Sequence, residues 1–131
     1  MNILVVGCTP IGSLLSRELS EEHNVTLIDN ESTGFKELSE EFNGKTVSGD
    51  ILSPEFLRSL ESDKLDLAVV ATMHEKTDIM CGQILAKILN VSRVMICVMD
   101  WQKMGLYKNF NLEILSLSQM AVNKIKLDTG S

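Results

Sequence analysis

The sequence predicts an α/β protein, a doubly wound parallel sheet of strand order 3-2-1-4-5-6 with helices on both faces. Three observations predict it. Strand-like runs recur along the 131 residues, at 2–6, 25–29, 45–48, 66–71, 93–98 and 112–115. The first, fourth and fifth are nearly unbroken apolar runs rich in Val and Ile, the pattern of strands covered on both faces. Helical periodicity fills the gaps, and parallel strands need such crossovers of a dozen or so residues.

The elements follow in order. Ile3-Leu4-Val5-Val6 forms the first strand, and Gly7-Cys8-Thr9-Pro10-Ile11-Gly12 turns the chain. Ile11, Leu14, Leu15 and Leu19 share one face of the helix that follows. Val25-Thr26-Leu27-Ile28-Asp29 is the second strand. Phe35, Leu38 and Phe42 repeat at three and four, which predicts a second helix before the strand at 45–48. Ser53-Pro54 is a helix start, with Ser as cap and Pro at the first helical position. Phe56, Leu57 and Leu60 give that helix its apolar face. Met80, Ile84, Leu85 and Ile88 predict a fourth helix closing near Asn90, and Leu117, Ala121 and Ile125 a fifth. Residues 101–110 read as a short helix plus a loop and hold Trp101, Tyr107 and Phe110. Residues 1–127 form one domain; 128–131 read as a disordered tail or a cloning remnant.

Composition excludes several classes. Hydrophobic residues make up 44% and charged residues 23%, as in a globular chain. The net charge is −6 and the lysines form no stripe, which argues against nucleic-acid binding. No apolar run approaches the ~20 residues of a membrane span, and no signal peptide fits an opening strand. Cys8, Cys81 and Cys97 show no metal or redox spacing and read as reduced thiols of a cytoplasmic protein.

In such a sheet, ligands bind at the carboxyl ends of the strands, where strand order reverses. Here that crevice lies between strands one and four. Strand, glycine turn, helix and an acid at the end of strand two make the layout of a dinucleotide-binding βαβ half, a Rossmann-like unit. Gly7 permits the tight turn and Gly12 the close packing of helix on strand. Thr9 stands at the middle glycine position and narrows the approach to a pyrophosphate. Pro10 removes one amide, while Thr9 could add a hydroxyl donor. A turn that merely connects strand to helix is the competing reading. Asp29 either accepts hydrogen bonds from ribose hydroxyls, where it would repel a 2′-phosphate and so disfavour NADP, or is a solvated strand-end carboxylate. Asp50, after Gly49, is either an adenine-edge residue or a turn residue. Thr72 and Met73 face the nucleotide across the cleft. His74 beside Glu75 could suggest acid–base chemistry, but no nucleophile or second acid stands nearby, and Glu75 reads as a helix-start acid.

Val5 to Gly12, Glu18-Leu19, Val25 to Asp29, Val47-Ser48-Gly49-Asp50, Ala71 to Glu75 and Leu85-Ala86-Lys87 together resemble the N-terminal nucleotide-binding (RCK, TrkA-N) domain of the Trk/Ktr potassium-uptake regulators. The resemblance covers roughly residues 1–127. It implies a cytoplasmic regulatory module and not an enzyme, binding NAD(H) or ATP, ADP or AMP. It implies a homodimer or larger ring that meets the membrane through a potassium channel or transporter subunit. By motif position it assigns ligand contact to Gly7, Gly12, Asp29, Asp50 and Thr72, with Thr9, Pro10, Ile11, Asn30, Ile51, Met73 and Glu75 beside them. Two departures from the family pattern matter. Thr9-Pro10 replaces a glycine and a residue that is often Arg, and Asp78 stands where Asn is common; both leave ligand identity open. The other readings are the cofactor half of an NAD-dependent oxidoreductase and a degenerate scaffold that binds protein. The 101–110 segment and the last helix are the expected dimer surface, since aromatics favour interface cores.

Overall fold

The computed structural model describes residues 1–38, 40–100 and 112–130. Its sheet is parallel throughout, in the order β3-β2-β1-β4-β5-β6, as the sequence predicts. The strands are β1 (Asn2–Val6), β2 (Asn24–Asp29), β3 (Lys45–Ser48), β4 (Leu67–Val70), β5 (Val94–Val98) and β6 (Glu113–Ser116). The helices are α1 (Pro10–Leu19), α2 (Pro54–Ser59), α3 (Glu75–Gln83) and α4 (Leu117–Thr129).

Alternation along the strands divides the core. Leu4, Val6, Ile28, Ala68, Val70 and Ile96 point to the side of Leu57, Ile79 and Leu85. Ile3, Val5, Val25 and Leu27 point to the other, against Leu15, Leu19, Phe35 and Phe42. Burial of β1, β4 and β5 on both sides explains their unbroken apolar sequences. Both proline helix starts form as expected: Thr9 Oγ1 accepts from Gly12 N ahead of Pro10, and Ser53 Oγ accepts from Phe56 N ahead of Pro54.

Three helices differ from expectation. Between β2 and β3 there is one 3-10 stretch, Thr33–Glu37, after which Leu38 is extended. Phe35, Leu38 and Phe42 still reach the core. Their spacing reports burial, and the chain achieves it without a continuous helix. Gly44 explains part of this: a Cβ there would lie 2.3 Å from Val25 O and 2.4 Å from the Phe42 ring, so the chain runs tight against β2.

The fourth predicted helix is α3 followed by a wide π turn at Ile84–Ile88, with Leu89 N bonded to Ile84 O. Asn90, at φ 56°, closes it in the left-handed region. The face that packs on the sheet follows Asp78, Gly82, Leu85 and Leu89. Ile79, Cys81, Leu85 and Leu89 are buried, whereas Met80 and Ile88, both expected inside, are exposed. Gly82 lets α3 settle on β5, since a Cβ there would lie 2.5 Å from Ile96 Cδ1.

Helix α4 runs through Thr129, so Asp128 and Thr129 are helical and not tail, and Gly130 ends the helix at φ 72°. Its residues from Ala121 onward are exposed, including Ile125 of the expected inner face. Residues 101–110, the expected short helix and loop, lie outside the described residues.

The register of α3 has a direct consequence. Leu85→Ala should cost about 2–5 kcal/mol of unfolding free energy. Met80→Ala should change it by no more than about 0.5 kcal/mol. Urea denaturation of both variants checks this, and a larger loss at Met80 would contradict the register of α3.

Candidate functional site

The carboxyl ends of β1 and β4 meet at a tight seam. Gly7 adopts φ +112°, and a Cβ there would sit 2.6 Å from Ala71 O and 2.7 Å from Thr72 N. A Cβ on Gly12 would fall 1.9 Å from Gly7 O. Glycine is therefore required at both positions, for conformation and close approach at Gly7 and for close approach at Gly12. Gly7 N donates to Ile28 O, and Ala71 N to Val6 O, which continues the ladder into the loop.

Thr9 closes the seam from above. Its hydroxyl donates to Ala71 O at 2.7 Å and accepts from Gly12 N at 3.2 Å. This differs from the sequence expectation of a free hydroxyl donor for phosphate: the proton is already engaged by β4. Pro10, the first residue of α1, is exposed and brings no amide. Ile11 turns inward and packs with Val69, Ala71 and Cys97.

Asp29 ends β2 beside the loop. Its Oδ2 accepts from Cys8 N at 2.8 Å, and its Oδ1 accepts a longer bond, 3.3 Å, from Glu31 N. Gly49 N donates to Asp29 O, which ties the end of β3 to the end of β2. Asn30 Oδ1 accepts from Ile51 N, and Asp50 Oδ1 from Leu52 N. Asp50 is exposed at the rim, but the Ile51 side chain is buried in the core, so only its backbone borders the crevice.

Across the crevice, Met73 adopts φ 69°, a left-handed conformation disfavoured for a residue with a Cβ. The buried Asp78 of α3 holds that turn. Thr72 Oγ1 donates to Asp78 Oδ1, and Met73 N donates to Asp78 Oδ2 at 3.0 Å. His74 N in turn donates to Thr72 Oγ1. Sequence reasoning marked Asp78 only as a departure from the family. Its spacing six residues beyond Thr72, inside an otherwise apolar helix face, was the available signal. Glu75 opens α3 and, with Met73, Cys97, Met99 and Asp100, lines a hollow of about 250 Å³ beside the crevice. A second hollow of about 310 Å³, bordered by Asn2, Asn24, Lys45 and Lys64, lies at the opposite, amino ends of the strands.

Burial raises the Asp78 carboxyl above its ordinary value, opposed by the bonds from Thr72 and Met73 and by the charge of His74. The buried Cys81 thiol is pushed up to about 12 by burial and then by Asp78. Cys97 is raised for the same two reasons. Both are unreactive thiols. Among the described residues no group of three or more His, Cys, Asp or Glu could hold a metal.

The crevice thus brings Gly7, Thr9, Gly12, Asp29, Thr72 and Met73 together. Asn30 and Asp50 stand on the β2–β3 side and Glu75 on the β4–β5 side.

Known proteins share this fold. The model of the TrkA-N domain matches residues 3–112. A Trk system potassium uptake protein TrkA of Streptomyces coelicolor is 23% identical over 113 residues, 86% of this chain and 51% of that protein. The chain thus spans about half of that relative's length. Among solved structures, the Kef CTD of Shewanella denitrificans in its AMP-bound form aligns with TM-score 0.80 and 12% identity, covering 98% of this chain and 79% of that one. GsuK bound to ADP aligns with TM-score 0.77 and 17% identity over 91% of this chain and 32% of its own. GsuK bound to NAD aligns equally well over 91% of this chain and 22% of its own.

The raised Asp78 pKa sets a pH dependence. Between 3.8 and its folded value, the folded chain binds more protons than the unfolded one. Its contribution to stability is therefore greatest at low pH, falls as pH rises through that interval, and is level above it. Asp78→Asn lacks this decline. Urea unfolding from about pH 4 to about pH 7 should show the stability of native protein relative to Asp78→Asn falling as pH rises. His74, Cys81 and Cys97, the titratable neighbours, are present in both proteins. A constant difference across the range would show that Asp78 titrates normally.

Proposed function

The chain belongs to the TrkA-N domain family, and on that premise we propose that it is a nucleotide-sensing regulatory domain of a membrane potassium channel or transporter. The ligand is NAD(H) or an adenine nucleotide, held in the crevice between β1 and β4. The observation that carries this reading is the convergence on one crevice of the Gly7–Gly12 loop, Asp29 and the Thr72-Met73 turn. Cys8 N fixes one oxygen of Asp29 at 2.8 Å and so orients the other. An oriented carboxylate beside a helix N-terminus suits a ribose with a phosphate next to it. Gly7, Thr9, Pro10, Ile11 and Gly12 take the phosphate side. Asp29, Asn30, Asp50 and the Ile51 backbone take the nucleoside. Thr72, Met73 and Glu75 form the opposite wall.

The reading is a binding module and not an enzyme. His74 precedes α3 as an exposed residue, and its backbone N–H turns back to Thr72 Oγ1. Asp78, the carboxyl that its charge influences, is buried and engaged by Thr72 and Met73, so it does not serve as a partner for proton transfer. Ligand acts by population shift: it favours one arrangement of a homodimer, or of a larger ring, because it binds that arrangement more tightly. Among the described residues no helix is long and apolar enough to cross a membrane. Attachment runs through the channel or transporter subunit.

The exposed apolar residues of α4 supply the dimer surface. Met120, Val122 and Ile125 are 53%, 48% and 62% exposed. Val122 and Ile125, three residues apart, share one face of the helix, and an exposed apolar face of this kind marks an interaction site. Residues 101–110, the other expected part of that surface, lie outside the described residues.

Two measurements test the proposal. Calorimetric titration with AMP, ADP, ATP, NAD and NADH should detect binding, and Asp29→Ala should weaken it by roughly 10- to 100-fold, the loss of a hydrogen bond to a charged group. Silence from all five at millimolar concentration removes the sensor reading. Light scattering should give the mass of a dimer or larger assembly, and Ile125→Glu should shift it toward the monomer. An unchanged mass in that variant removes α4 from the interface.

A further inference from the structure

The donor inventory of the glycine loop narrows the ligand class. Gly7 N is bonded to Ile28 O, Cys8 N to Asp29 Oδ2, Gly12 N to Thr9 Oγ1 and Ser13 N to Thr9 O. Pro10 has no N–H. The Thr9 hydroxyl proton is engaged by Ala71 O and the Thr72 hydroxyl proton by Asp78. From residue 7 to 13, the amides left for a ligand are those of Thr9 and Ile11.

Two amides can hold one phosphate through two of its oxygens. A pyrophosphate brings a second phosphate group, and the loop offers that group no further donor. Charge points the same way. No Lys or Arg occurs in residues 7–13, 29–34, 48–53 or 71–75, whereas Asp29, Glu31, Asp50 and Glu75 do. Lys36 and Lys76, next to these segments, are exposed. Among the described residues of these strand ends, each added phosphate therefore meets carboxylates, with neither amides nor guanidinium groups to offset them.

Resting on the nucleotide-crevice reading above, we propose that the self-capped Thr9-Pro10 loop selects a nucleoside monophosphate over ligands that carry a pyrophosphate. The loop occupies with its own hydroxyl what an unsubstituted glycine turn leaves open. Thr9 is thus a specificity residue that acts through Gly12 N and Ala71 O.

The test is calorimetric titration of the intact protein with adenosine, AMP, ADP and NAD at one fixed ionic strength. AMP should bind at least ~10-fold more tightly than ADP, NAD or adenosine, the difference one charged hydrogen bond makes. Thr9→Gly frees Gly12 N and should narrow the gap between AMP and the two pyrophosphate ligands by about 10-fold. Pro10→Ala, at an exposed position that a folded chain tolerates, returns one amide and should narrow it in the same direction. ADP or NAD binding native protein as tightly as AMP overturns the selection and leaves the nucleotide crevice standing. Adenosine binding as tightly as AMP overturns the two-amide phosphate seat. A gap that neither variant narrows overturns the role of Thr9-Pro10. No binding by any of the four overturns both this proposal and the reading beneath it.

Discussion

The site depends on the contact between the glycine loop and the end of β4. Atoms of Gly7 and Ala71 approach so closely that no side chain fits between them, and the Thr9 hydroxyl bridges the gap to Ala71 O. This seam fixes where α1 begins, because Thr9 is also the N-cap that satisfies Gly12 N. It fixes Asp29, because the same loop presents Cys8 N to that carboxylate. Overpacking such a contact costs about 1–3 kcal/mol, and at a backbone-to-backbone approach the neighbour has little room to move. Disturbing the seam would therefore move the helix start, the acid and the opposite wall together.

Asp78 secures the other half of the seam. A buried carboxylate is costly unless hydrogen bonded. Here it accepts from Thr72 and Met73 in consecutive positions. Those two bonds hold Met73 in a left-handed conformation that a residue with a Cβ seldom adopts. The arrangement places a strained turn at the crevice wall and its support in the helix behind it. Burial raises the thiols of Cys81 and Cys97, and the same carboxylate raises them further. One buried side chain thus organises the wall and adds to what burial already does to two nearby sulfurs.

Much of the fold was legible because it rests on burial. Strands buried on both faces must be apolar throughout, so β1, β4 and β5 stood out and strand order followed. Asp29 was legible because a strand end after a glycine turn is a place fixed by topology. Other features depend on geometry that spacing does not carry. Phe35, Leu38 and Phe42 have helical spacing and reach the core from a chain that is helical only in part. Met80 and Ile88 have helical spacing, but the face that packs on the sheet is the one carrying Asp78, Gly82, Leu85 and Leu89, which leaves both outside. The direction of the Thr9 hydroxyl was equally hidden. A threonine in a phosphate-type loop can face the ligand or the protein, and only the proximity of Ala71 O decides between them.

The crevice and the proposed dimer surface border neighbouring elements in this architecture. Met73, at the crevice wall, borders the same hollow as Cys97 and Met99. Met99 O accepts from Ser118 N in the first turn of α4. Ser116, the last residue of β6, caps that helix through Gln119 N. A ligand that repositions the Met73 turn therefore acts on side chains that also border the root of α4. Contiguity becomes coupling only when α4 has two arrangements and the ligand binds one of them better. The exposed apolar residues of α4 give the domain a reason to adopt more than one arrangement, because each arrangement that covers Ile125 and Met120 removes apolar area from water. The preference of the ligand then has to exceed only the difference between those arrangements, which is smaller than the stability of the sheet that carries them.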